Sequence, residues 1–322
     1  MAFLLCVEFS DYGVVREVGS CVSGYLIGRY VAARIFYGGE LMICIYRELQ
    51  SKNSFEKVCD ISQNDAVILL NLENAFVLLH SKATLWWSTY KDYMELIDYL
   101  NCISKSAADH KAISLIHDPI VLSSICRHVN NFLSSSSIML TILEQDFPTA
   151  GDKEKWNEKR RSLHRDNIEY RFCYELRNYS QHYHLPINSL GVAYNTNSSP
   201  YMTIGFFLQN KDNKVCKKLD SILHDVGNVV NVALYFEKYF NILSCLFVDY
   251  MKFSEKLMLN CDGHLISILT KYGLGQVKDF MVCNQPNNGT YEDIIKKSTY
   301  INLQSYYWTK KQIEVAKQVT AT

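Results

Sequence analysis

The sequence has no excess of either charge: 33 basic and 33 acidic side chains balance in 322 residues. A generic polyanion binder carries a basic surplus, so contact with nucleic acid would have to come from a local patch. It has no Cys-x-x-Cys pair among its 11 cysteines, and their number is odd. That excludes zinc-ribbon and thioredoxin-like readings and leaves reduced, mostly buried thiols, with no metal or other cofactor expected. It has no Gly-x-x-x-x-Gly-Lys-Ser/Thr loop and no Gly-x-Gly-x-x-Gly turn, so neither phosphate-cradling fingerprint applies. Residues 1–8 are apolar but lack a basic flank and are too short for a secretory signal, so the expected setting is cytoplasmic. The Asn-x-Ser/Thr triplets at Asn178, Asn197 and Asn288 then have no bearing on glycosylation. The longest apolar stretch, residues 226–251, is interrupted by Glu237, Lys238 and Asp249, which suits a buried helix and not a membrane span. No internal repeat or low-complexity segment is visible.

What is present is a globular composition, 48% hydrophobic, with helical periodicity over most of its length. Residues 64–103 read as a helix with Val67, Leu70, Asn74, Val77 and Leu78 on one side, its apolar face thickened by Trp86, Trp87, Tyr90, Tyr93 and Tyr99. Aromatics at helical spacing belong to the core more often than to a base-stacking platform. Asp118-Pro119 reads as an N-cap with proline in the first turn, opening a helix to about residue 146. The middle of that helix, from Arg127 through Asn130, Asn131 and Ser134 to Ser137, is polar between apolar flanks. Either it is a solvated face, or Asn130, Asn131 or Ser134 lines a polar cleft. Two strands, residues 190–194 and 201–208, flank a turn-rich loop, and a second helical region spans about 214–272. Near the start, Gly38-Gly39 between extended stretches suggests a hairpin.

No Gly or Pro occurs between residues 153 and 185, and Pro186 cannot continue a helix. The spacing therefore predicts one long helix over 153–185. Ile168, Phe172, Leu176, Tyr179 and Tyr183 form its core stripe, with Arg171, Glu175, Asn178 and His182 as a polar ridge beside it. Its start holds six Lys/Arg against two Glu within residues 153–165. Lys159, Arg160 and Arg161 are thus candidates for phosphate contact, or members of a solvated helix start. Its end, Arg177-Asn178-Tyr179-Ser180-Gln181-His182, concentrates polar groups where a solvated helix needs none.

This run, Arg followed by a polar residue, three variable residues and His, resembles the signature of the HEPN superfamily, helical domains that often act as metal-independent endoribonucleases. The resemblance covers the motif and surrounding helices, at most about residues 64–190. It implies a HEPN-like helical bundle over 64–190; with the elements read above, the chain is expected to be mainly α, with an N-terminal region 1–63 that includes a hairpin and a β-hairpin plus C-terminal helical region over 191–322. It further implies catalysis by Arg177 and His182, aided by Asn178; Gln181, the basic residues Lys159, Arg160 and Arg161, and Asn130 and Asn131 are the candidates for substrate contact. RNA supplies its own 2′-OH nucleophile. Histidine, titrating near neutrality, can move the protons, and arginine can stabilise the phosphorane. Residues five apart lie about 140° apart on a helix, so Arg177 and His182 of one chain do not converge. In the family a homodimer brings two motif helices into one cleft. The implied substrate is RNA (tRNA or mRNA), in a toxin or antiviral setting with an antitoxin or sensor partner and no membrane. The alternative is a non-catalytic helical interaction or nucleotide-binding module. In the class paired with a nucleotidyltransferase the motif continues His-x-Tyr. Here His184 holds that last position, a departure from the class.

Overall fold

The computed structural model describes residues 43–49, 54–106, 117–147, 149–183, 185–208, 214–275, 279–284 and 298–321. The hairpin suggested around Gly38-Gly39 and residue His184 lie outside them. The chain is mainly helical, with small antiparallel sheets. It forms two compact units, one from residues 1–81 with 254–310, the other from residues 82–253 with 311–322. The division falls inside two helices, α1 (Gln63–Ser106) and α8 (Leu303–Ala321). Neither unit is a continuous stretch of the chain.

The first unit is built on a four-stranded antiparallel sheet, ordered β2-β1-β6-β7. Its strands are β1 (Ile43–Leu49), β2 (Ser54–Ile61), β6 (Phe280–Asn284) and β7 (Ser298–Ile301). Ile43 to Tyr46 are all buried, so β1 is covered on both faces; this explains why it reads as a continuous apolar run without alternation. Cys44, Tyr46, Met281 and Cys283 pack together across β1 and β6, joined by Phe55. Beside the sheet, α1 opens at an acidic residue, Asp65, whose carboxylate accepts from Ser62 Oγ, Lys271 Nζ and Tyr272 Oη, each at 2.6 Å. The last two belong to the end of α7 (Glu255–Lys271), which Gly273 closes with φ +65°. The first half of α1 buries Leu69, Leu72, Phe76 and Leu79, whereas Val77 and Leu78 are exposed. Of the face assigned from periodicity Leu70 is buried, but Asn74, Val77 and Leu78 point outward, and Phe76 turns inward to stack on Tyr306 of α8 at 4.2 Å between ring centres.

The second unit holds α2 (Pro119–Gln145), α3 (Ala150–Asp166), α4 (Ile168–His182), α5 (Lys214–Val226) and α6 (Val232–Phe253). A three-stranded sheet, ordered β3-β4-β5, comes from Ile187–Tyr194, Pro200–Phe206 and Val229–Asn231. The aromatic run of α1 is core here. Trp86 stacks on Tyr90 and Phe247 and donates from Nε1 to Ser244 Oγ at 3.1 Å, while Tyr93 stacks on Phe240 at 4.4 Å. Asp118 caps α2, accepting from Ile120 N at 2.8 Å, with Pro119 as the first helical residue. In the hairpin β3–β4, Asn195 Oδ1 accepts from the backbone of Asn197 and Ser199, folding the polar loop as an Asx turn. Gly227, at φ +88°, ends α5 in the left-handed region that glycine adopts without cost.

The single helix expected over 153–185 is two. Asn167 leaves helical geometry (φ −119°, ψ 115°) and serves both sides of the break. Its N–H ends α3 on Leu163 O at 2.9 Å, and its side chain starts α4 by accepting from Tyr170 N at 2.7 Å. An asparagine cap satisfies the orphan donors of a helix start as well as any residue. Gly and Pro are not needed to break a helix there.

Candidate functional site

The motif lies in the last two turns of α4, which packs on α2, α3, α5 and α6. Phe172, Leu176 and Tyr179 are buried as the stripe requires, with Ile168 and Tyr183 half-buried. Tyr170 and Cys173 are buried as well, because neighbours cover more than one face. Phe172 meets Phe206 and Tyr235 edge-on, and Tyr170 packs against Tyr239 at 5.6 Å.

Glu175 changes the character of the polar ridge. Its side chain is only 3% exposed, yet it is a carboxylate. Charge is tolerated in such a place only when partners surround it. Oε1 faces His164 Nε2 at 3.1 Å and Lys218 Nζ at 3.7 Å, and Oε2 accepts from Asn178 Nδ2 at 3.2 Å. Asn178 in turn accepts a long 3.4 Å bond from Arg177 Nη1. The motif's arginine and asparagine are thus tied into a network within the chain. Arg177 is half-buried, and its charge reaches the Tyr239 phenol. Burial pushes that phenol well above its ordinary value, Tyr170 and Cys173 add to the rise, and Arg160 and Arg177 oppose it. Helical spacing puts Arg177 nearly opposite the core stripe, on the solvent side; here it is half-buried instead.

Gln181 and His182 are exposed at the end of α4. His182 makes no hydrogen bond or ion pair among the described residues, and it does not meet Arg177. Asn130 and Asn131 are exposed on α2. The polar stretch around them is a solvated face backed by Ser135 and Ser136, which bond the carbonyl of Phe132 at 3.2 and 2.6 Å.

The basic run on α3 is largely neutralised. Lys159 pairs with Asp249, Arg161 with Glu154, and Arg165 with Asp166 at 2.7 Å. Arg160 pairs with Glu144 at 2.7 Å, and its side chain is only 19% exposed. Of the three cations singled out for phosphate contact, Arg160 is held inside the unit and the other two face carboxylates.

Another group of cations, not all of them paired among the described residues, lies elsewhere. A cleft of about 680 Å³ opens between α3, α4 and α5, lined by His164, Arg171 and Glu175 and by Lys214, Lys217 and Lys218 of α5, with Ser221 and Asp225 further along the same helix. Sequence reasoning placed a helical region from residue 214 onward but drew no site from α5. A signal was there: three lysines crowd the start of the helix, with no acidic residue in its first turn, where the macrodipole favours anions. Among the described residues no group of three or more His, Cys, Asp and Glu could hold a metal ion. Set against protein-family models, curated proteins and solved structures, the chain matches none.

Proposed function

We propose that the chain is a metal-independent endoribonuclease of HEPN type, acting as a toxin or antiviral effector on RNA in the cytoplasm. His182 moves the protons, Arg177 stabilises the phosphorane and Asn178 holds Arg177 in place. The observation that carries the reading is the exposed, unbonded imidazole of His182, beside Gln181, at the end of a helix in which Arg177, Asn178 and Glu175 are bonded in a chain. A proton-transfer group has to be free to meet substrate. Arg177 and His182 lie about 140° apart on α4, so the working site is composite: His182 of one protomer meets Arg177 of its partner in a homodimer. An antitoxin or sensor protein controlling this surface belongs to the same proposal.

A second reading, a non-catalytic interaction module, is favoured by one observation: Arg177 is half-buried and bonded within its own chain. Incubating the purified protein with total RNA separates the two. The ribonuclease reading expects cleavage by the wild type and none by a folded His182→Ala variant. Cleavage by neither supports the module, and equal cleavage by both contradicts the role given to His182.

A further inference from the structure

The cleft between α3, α4 and α5 has a charge pattern that the fold itself does not use. Lys214, Lys217 and Lys218 stand at i, i+3 and i+4, so they share one face of α5, and Ser221 extends it by another turn. They occupy the positive end of the helix, where cations are unfavourable unless an anion lies among them. Across the cleft, Arg171 gives one Nη to the carbonyl of Arg165 at 3.4 Å. Its Nε is buried and meets no acceptor among the described residues. None of the described carboxylates pairs with Arg171, Lys214 or Lys217, whereas Lys159, Arg160 and Arg161 on α3 each have one. The one buried carboxylate at this place, Glu175, is already engaged by His164, Asn178 and Lys218. Because His164 turns Nε2 to Glu175, Nδ1 is left for a ligand.

We propose that this cleft binds a ligand bearing adjacent phosphate groups, with Lys214, Lys217 and Arg171 on its oxygens and His164, held by Glu175, completing the site. The cations are gathered around one cleft of about 680 Å³, within the range of small-ligand sites. Arg171 and His164 come from other helices than the lysines, so the charges converge from three elements on one cleft. Arginine brings a fork for paired oxygens, and the lysines bring compact charges. The chemistry is shared by a free polyphosphate, a nucleoside triphosphate and the 5′-triphosphate end of an RNA. The site is independent of the ribonuclease reading, since binding is measured without cleavage.

The test is titration calorimetry on the full chain, with tripolyphosphate, ATP, and a short RNA carrying either a 5′-triphosphate or a 5′-hydroxyl as separate probes. Tripolyphosphate is expected to bind the wild type. The double variant Lys214→Gln/Lys217→Gln, whose sites are both exposed, should bind it at least tenfold more weakly with an unchanged melting temperature. Arg171→Gln should act in the same direction. Lys159→Gln, outside the cleft and already paired, should change nothing. Tighter binding of ATP than of tripolyphosphate identifies a nucleotide. A preference for the triphosphate RNA over the hydroxyl RNA identifies an RNA end. Failure of every phosphate probe to bind, equal affinity in the double variant, or sulfate binding as tightly as tripolyphosphate would overturn the proposal.

Discussion

Glu175 holds together more of α4 than any residue of the motif. It is buried, and three groups from α3, α4 and α5 converge on its two oxygens. Its charged partners His164 and Lys218 are 36% and 55% exposed, so water offsets part of what they lose, and removing the acceptor they share with Asn178 costs roughly 1–3 kcal/mol. Glu175→Ala is expected to lose stability in that range by urea unfolding, with Glu175→Gln losing less because an amide oxygen still accepts. Arg177 and His182, treated as equals by the motif, should part company in the same assay. Arg177→Ala removes a bond to Asn178 and a charge near Tyr239, at a cost of about 1–2 kcal/mol. His182→Ala, exposed and unbonded, should stay within about 0.5 kcal/mol of wild type. Equal destabilisation by the two would show that His182 belongs to the structural network. From the sequence, the ridge of Arg171, Glu175, Asn178 and His182 was legible. What it could not reveal was that α5 would close over Glu175, because that burial depends on a helix some 40 residues further along.

At the scale of elements, caps and contacts between distant segments decide what propensity leaves open. Asp118-Pro119 was readable as a helix start because the cap and the fixed φ are local. Asn167 was not, since its break depends on two caps made by one residue inside an unbroken periodic run. Asn167→Ala should cost about 1 kcal/mol by removing the bond to Tyr170 N, read as a lower midpoint in denaturant. Strand β2 went unread because Ser54–Ile61 is mixed in polarity. Strands β6 and β7 are short and take their register from partners far away in sequence, with Cys44 opposite Cys283. At the start of α1, bonds from Lys271, Ser62 and Tyr272 hold the Asp65 carboxyl down to about 2. A lowered folded-state value stabilises the fold at pH above the ordinary carboxylate range and loses that contribution as pH falls toward 2. Asp65→Asn should therefore weaken the first unit at pH 6 and leave little difference near pH 2, by circular dichroism melts. A variant difference that is constant from pH 6 to pH 2 would contradict this.

At the scale of the whole molecule, the mainly helical class and the β3–β4 hairpin were legible from periodicity and turn residues. The division into two bodies was not, because each is assembled from separated stretches of chain. The composite site proposed above would require a homodimer, since Arg177 and His182 of one chain do not meet. Mixing inactive Arg177→Ala and inactive His182→Ala protomers should then restore part of the cleavage, because one of the two composite sites in the mixed dimer is intact. The most direct measurement is end-group analysis of RNA cleaved in excess EDTA. With the substrate's 2′-OH as nucleophile and His182 moving protons, the account predicts 2′,3′-cyclic phosphate (or its hydrolysed form) and 5′-hydroxyl ends, undiminished by EDTA and lost on 2′-O-methylation of the cleaved nucleotide. Products carrying a 5′-phosphate, or activity abolished by EDTA and restored by Mg²⁺ or Mn²⁺, would contradict it.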